Sequence, residues 1–243
     1  MTVQLPTTTD PTDVPSVITS RRSCRAFLPD PVEPDIITRI LELSQQAPSW
    51  CNTQPWQVAL TAGEGTERLR RGLADFVRSS AQEPDIAFPP SYEGQYRARR
   101  KDCAMQLYSS LGIADGDRAA SLEQTMKNFD LFGAPHVAVI TTAKSLGTYG
   151  AVDCGVYVGT FLMAAHSLGV ATVAQAALAG CAPYLRDFFD MPEDRDVVCA
   201  ISFGYPDTDH PANTFRTPRA DVETVATWAT GANSLRETKD IVR

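Results

Sequence analysis

The apolar positions of this chain change their period several times, and each change marks an element. Pro34 at a first-turn position is followed by Ile36, Ile37, Ile40, Leu41 and Leu43 at helical spacing, which predicts a helix closing at Ala47-Pro48. A shorter helix is expected before it, from Val14 to Ser20. Trp56 to Leu60 alternates as a strand does and ends at Ala62-Gly63, after which Thr66 to Ser80 returns to helical spacing. A break at Pro84, Pro89 and Pro90 leads into two polar amphipathic helices, around Tyr92–Ile113 and Asp117–Phe129. Then follow a strand from Val137 to Thr141, a buried apolar helix from Val152 capped at Gly169, and a strand from Val170 to Val173. Pro183 opens a short helix to Phe189, and Val197 to Phe203 is a continuous apolar run of central-strand length, ended by Gly204. Beyond Asp221 the pattern fits strand, helix or extended arm alike.

A chain of 243 residues, 43% hydrophobic, can bury a full core in one domain. The expected division is a loose leader over 1–13, a folded unit over 14–220 and a C-terminal arm over 221–243. The net charge of −7 argues against duplex nucleic acid or an anionic membrane as partner, because both call for a basic face. Asp153 and His166 interrupt the longest apolar stretch, Ala151 to Val173, so it reads as a core helix and not as a membrane span. His166 is accordingly expected to be a satisfied core residue. The leader has neither a charged start nor an apolar centre and so does not read as a signal peptide. The six cysteines are scattered without a C-x-x-C pair, which fits a reduced, cytoplasmic protein.

In an acidic chain, local basic clusters are informative. Arg21, Arg22, Ser23 and Arg25 gather planar guanidinium forks and a hydroxyl suited to a phosphate, although arginines at a helix end also complement its dipole. Asn213 to Arg219, with Arg216 and Arg219, repeats the chemistry far along the chain; taken alone it reads as a solvated polar loop. Ser49, Asn52 and Gln54 sit between Pro48 and Pro55, where amide groups could read the edge of a flat heterocycle or simply connect helix to strand. The three histidines are widely spaced and no metalloprotease, nucleophile-elbow, P-loop or dinucleotide-binding motif occurs, so metal and triad chemistry are disfavoured.

Taken in order, Arg21-Arg-Ser-x-Arg25 with Phe27, Ala47-Pro-Ser-x-x-Asn-x-Gln-Pro-Trp56, Phe132-Gly-Ala-Pro-His136, Gly169 to Gln175 and Val198 to Pro206 resemble the nitroreductase family of FMN-dependent oxidoreductases. The resemblance implies an α+β fold, with a mixed, mostly antiparallel sheet wrapped by helices, in an intertwined homodimer whose C-terminal segment is exchanged. The long apolar helix would lie at the dimer core, its glycines allowing close approach. Arg21, Arg22, Ser23, Arg25 and Arg219, with Arg216 as a lesser candidate, would hold the FMN phosphate and polar flavin edge. Pro48, Ser49, Trp50 and Asn52 would reach the flavin from the other subunit, and Gln175 and Ala176 would place a backbone N–H near flavin N5. Well-known members carry Glu and Gly at those last two positions, so only the backbone role carries over.

The implied reaction is ping-pong hydride transfer from NAD(P)H through the flavin to nitroaromatics, quinones or similar acceptors, with no indispensable side-chain acid or base. The same fold hosts reductive dehalogenation, enone reduction and oxygen-dependent flavin fragmentation, and a flavin-binding sensor is a further alternative. Thr66 to Phe129 departs most from short members and is expected to shape substrate access.

Overall fold

The computed structural model describes residues 13–228. The leader, apart from Asp13, and the arm beyond Trp228 lie outside the described residues. Seven helices and four strands follow in the order α1 (Val14–Ser20), α2 (Pro34–Ser44), β1 (Gln57–Thr61), α3 (Glu64–Ser79), α4 (Gly94–Ser110), α5 (Arg118–Met126), β2 (His136–Ala143), α6 (Gly147–Ser167), β3 (Ala171–Gln175), α7 (Ala182–Phe189) and β4 (Arg195–Gly204). The long helix starts at Gly147 and not at Val152, and Gly169, at φ 76°, lies just past its end as expected of a C-terminal cap.

The four-stranded sheet has the order β1-β2-β4-β3, and every named strand pair is antiparallel. The parallel contribution is an isolated bridge between Ser23 and Thr172. Strand alternation divides the core. Ala138 and Ile140 face α2 and α6 together with Trp56, Tyr157, Phe161 and Phe203. Val137 and Val139 face the opposite layer, with Leu69 and Leu73 of α3 and Leu185 of α7. The register slips between Ile140 and Thr141: Ile140 pairs with Cys199, but Thr141 pairs with Val197. Val198 is therefore the extra residue of a bulge, which is why Val197 and Ala200, three apart, share one face.

The proline-rich segment after α3 is pinned to the sheet. Asp85 pairs with Arg186 of α7 at 2.8 Å and accepts the Val197 N–H at 2.8 Å. By contrast α4 buries none of its residues.

Within one chain α6, expected as a buried helix at a dimer core, is buried on one side only. One face packs Cys154, Tyr157, Phe161 and Ala165 into the core, while Val152 remains 54% exposed and Val156 39%, with Gly155 beside them. A helix apolar on all sides should be buried all round. Nothing among the described residues covers this second face. No described helix is long and apolar enough to cross a membrane.

Candidate functional site

Residues 21–28 leave α1 and thread between the β3 edge and the loop after β4. Cys24 N–H donates to Thr172 O at 2.9 Å, Leu28 N–H to Tyr205 O at 2.9 Å, and Asp207 N–H to Ala26 O at 3.1 Å. Asn213, buried in the last loop, closes the arrangement: its Oδ1 accepts the Arg25 N–H at 2.7 Å and its Nδ2 donates to Ala26 O at 2.9 Å. The two sequence clusters, 188 residues apart at this contact, thus become one wall.

They enclose a cleft of about 590 Å³ lined by Arg21, Arg22, Arg25, Arg216 and Arg219 together with Ser23. A second hollow shares Arg21, Arg22 and Arg216 and continues over Thr172 to His166. Among the described residues, none of these five arginines forms an ion pair with a carboxylate. Burial holds the Arg21 guanidinium below its ordinary pKa, and Arg219 and Arg216 push it further the same way. Burial also lowers Arg25, whose guanidinium lies 5.7 Å from the centre of the Phe215 ring. Like charges gathered without counter-charge are a standing electrostatic demand for an anion. Arg216 is partly committed: it donates to Thr19 O at 2.6 Å and to Ser20 O, satisfying carbonyls at the end of α1 that the helix leaves free.

His166 corrects the sequence reading. It is half-buried, its Nε2 lies 2.7 Å from Ser20 Oγ, and burial followed by Arg21, Arg216 and Arg22 lowers its pKa. It belongs to the cleft wall because α1 crosses the C-terminal end of α6, a contact that no local sequence signal announces. Cys103 of α4 also lines the cleft and was likewise not singled out.

The amide loop is built differently. Cys51, Asn52 and Gln54 all adopt left-handed backbone, with φ of 51°, 57° and 46°. Asparagine tolerates this region; for cysteine and glutamine it costs on the order of 1–3 kcal/mol each and persists only where the surroundings over-determine it. They do so here. Asp153 of α6, buried, accepts the Trp50 N–H at 3.1 and 3.2 Å and the Thr53 hydroxyl at 3.4 Å. Ser49 Oγ accepts the Gln54 N–H at 2.9 Å, and the Gln54 amide binds Asn52 Oδ1 at 3.1 Å and Gln45 at 2.9 Å. Arg195 reaches from β4 to Pro55 O at 2.9 Å. Pro48 opens the loop, and the Trp50 ring, 60% exposed, stacks at a tilt on Tyr149 with centroids 4.5 Å apart.

Asp153 and His166 are thirteen positions apart on α6, so the loop and the arginine cleft stand about 20 Å apart along one helix. Gln175 and Ala176 lie at the other end of β3 from Thr172, about 10 Å along the strand. The Gln175 side chain is buried and spent on structure, accepting from Ser202 Oγ at 2.5 Å and donating to Asn128 O at 2.9 Å.

The sequence pattern of the nitroreductase family matches residues 18–205, a span that holds the amide loop, β3 and the first arginine cluster. The chain belongs to the nitroreductase family. It is 31% identical to a 4-nitrobenzoate reductase of Pseudomonas putida over 207 residues, covering 85% of this chain and 91% of that protein. It is 34% identical to nitroreductase NfnB of Mycolicibacterium smegmatis over 208 residues, covering 84% and 87%. The fold superposes on the crystal structure of the FMN-dependent nitroreductase NfnB from Mycobacterium smegmatis in complex with NADPH with a TM-score of 0.83, at 31% identity, covering 88% of this chain and 96% of that one.

Proposed function

We propose that this nitroreductase-family member is an FMN-dependent oxidoreductase that uses NAD(P)H to reduce nitroaromatic, quinone or similar electron-poor small molecules, and that it works as a homodimer with each FMN site at the subunit interface. The carrying observation is the separation of the two candidate clusters. One small ligand cannot touch both ends of α6 in a single chain, yet the exposed Val152, Gly155 and Val156 between them form the kind of apolar face that a second copy covers. A Cβ at Gly155 or Gly159 meets nothing within 4 Å, so the partner's backbone has room for close approach. A two-fold pairing of α6 brings the loop of one chain toward the cleft of the other.

The donor set fits FMN. Arg21, Arg22, Ser23, Arg25 and Arg219 supply forked donors and a hydroxyl for a phosphate monoester, with Arg216 contributing what its carbonyl contacts leave free. The partner's Pro48, Ser49, Trp50 and Asn52 would border the flavin, held rigid by the Asp153 anchor. Gln175 and Ala176, one strand length from the phosphate end, would offer a backbone donor to the ring. When bound, FMN supplies hydride acceptance at N5 and electron delivery to the acceptor in ping-pong order. The chain itself binds, orients and favours electron density on the reduced ring through its fixed positive charge. No side chain is required to move a proton in this reading.

The same reading takes 14–220 as the folded unit; the arm expected from 221 onward lies, beyond Trp228, outside the described residues. The six cysteines are all free, which supports a cytoplasmic location. The acceptor named for one of the relatives, 4-nitrobenzoate, supports a nitroaromatic substrate. The test is an anaerobic titration of the purified protein with NADPH and then NADH, followed by 4-nitrobenzoate. Yellow protein that bleaches and then recovers its colour is expected; colourless protein that takes up no added FMN would refute the reading.

A further inference from the structure

We infer that the basic turn of α4 is the binding site for the 2′-phosphate of NADPH, so that the enzyme discriminates NADPH from NADH through Arg99 and Arg100. The inference rests on the FMN-oxidoreductase reading and adds to it a nicotinamide preference with residues that set it.

The observation is an unused concentration of charge. In a chain with 29 acidic and 22 basic residues, Arg97, Arg99, Arg100 and Lys101 fall within one turn and a half. All are exposed, and among the described residues none pairs with a carboxylate. The adjacent acid, Asp102, accepts instead from Gln106 Nε2 at 2.9 Å. A solvated charged face ordinarily mixes signs evenly; here one acid, Asp102, stands beside four cations. Arg100 is braced, its guanidinium 5.2 Å from the centre of the Tyr92 ring, which reduces the entropy lost on gripping a ligand.

Position gives the charge a purpose. Cys103 lines the arginine cleft, and Arg99 and Arg100 lie four and three residues before it, on the same face of α4 one turn further out. The cleft already holds Arg21, Arg22, Arg25, Arg216 and Arg219, whereas a single phosphate monoester carries about −2. The α4 arginines are thus surplus to FMN; they do not line the cleft, but one helical turn, about 5 Å, from Cys103 leaves them within reach of the distal half of a second phosphorylated nucleotide. NADPH carries a monoester there that NADH lacks, and a guanidinium fork matches its oxygens in pairs. An aromatic carboxylate on the acceptor is the competing source of negative charge, and a test must separate the two.

The experiment compares the FMN-loaded wild type with the double variant Arg99→Ala/Arg100→Ala, whose changes fall on exposed helical positions that alanine suits. Binding of adenosine 2′,5′-bisphosphate and of 5′-AMP is measured by calorimetry, and kcat/KM is measured for NADPH and NADH. In the wild type the bisphosphate should bind about 10- to 100-fold more tightly than 5′-AMP, and the variant should lose most of that ratio together with a similar part of its NADPH-to-NADH preference. Raised salt should weaken NADPH more than NADH. Equal binding of the two adenine nucleotides by the wild type, or an unaltered ratio in the variant, would overturn the inference. So would a variant whose loss appears in the choice of 4-nitrobenzoate over nitrobenzene and not between nicotinamides. Failure of the protein to take up FMN would instead strike the underlying reading, while the bisphosphate titration would still report on α4.

Discussion

The arginine cleft and the Pro48–Trp56 loop stand at opposite ends of α6 and are held by opposite means. The cleft gathers like charges with no carboxylate among the described residues to balance them, and its groups repel one another until an anion arrives. The loop is over-satisfied: a buried carboxylate, a serine hydroxyl and two glutamine amides fix a backbone that three left-handed residues would otherwise abandon. One region is incomplete without a ligand; the other is finished in advance. The proposed site, made of both, would combine electrostatic attraction with a preformed recognition edge, and the length of α6 is the reason that reading takes the two from different chains.

The largest effect should come from keeping the two regions apart. Gly155→Arg adds charge to the exposed apolar face, where its Cβ meets no neighbour, and arginine favours helix over glycine. The expected product is a folded, monomeric and colourless chain, checked by light scattering, circular dichroism and flavin absorbance. A dimeric, yellow Gly155→Arg protein would remove the reason for placing the site between subunits.

Next comes the cleft itself. Arg21→Ala/Arg219→Ala should weaken FMN binding by about 100-fold or more, since each removes a charge-assisted contact to the phosphate. Because Arg219 also burdens Arg21, the FMN-free variant should melt no lower than the FMN-free wild type. Flavin fluorescence titration and scanning calorimetry give the two signs. A matching fall in stability without loss of flavin would make these arginines structural.

The loop should respond in the other sense. Asp153→Ala leaves the Trp50 N–H and Thr53 hydroxyl without their acceptor and should cost about 1–3 kcal/mol of stability, with a smaller loss of FMN affinity, of about tenfold. Asp153→Asn retains an acceptor oxygen and should recover most of both.

The smallest effect is a pH dependence. His136 and His166 both have pKa values lowered from 6.5, by burial in each case first. The unfolded chain therefore takes up these protons before the folded one, so stability is complete above about pH 6.5 and declines as the pH falls below it. His136 is locked in the core, its Nε2 accepting the Val32 N–H at 2.9 Å. His166 faces Arg21, Arg216 and Arg22, whose repulsion an anion offsets. An NMR titration should show FMN raising the pKa of His166 while leaving His136 in place.

How much of this could be read from the sequence follows from where each interaction lies along the chain. The first arginine cluster was legible because it is contiguous, and the helices and strands because their periods are local. The bulge at Val198 was not, since a continuous apolar run looks the same in either register. Asp153 was visible as an interruption of an apolar helix. That a carboxylate in such a place must be satisfied could have marked it as an anchor, but its partners lie about a hundred residues earlier. His166 looked like core because its neighbours in sequence are apolar, whereas its neighbours in space are Ser20 and the arginines, 146 residues away at the Ser20 contact. Which face of α6 stays uncovered was not legible from the apolar run itself, since apolarity alone does not say whether the covering surface comes from the same chain; only the family resemblance suggested a partner there.

The decisive measurement is subunit complementation. Arg21→Ala/Arg219→Ala chains and chains with Ser49→Ala/Asn52→Ala are each expected to hold little FMN; they are unfolded together, refolded as a mixture and assayed for bound flavin. If each site takes its arginines from one chain and its loop from the other, mixed dimers regain one intact site, and the mixture should hold about a quarter of the wild-type flavin per chain. Flavin that stays at the level of the two separate variants would show that cleft and loop do not meet across the interface.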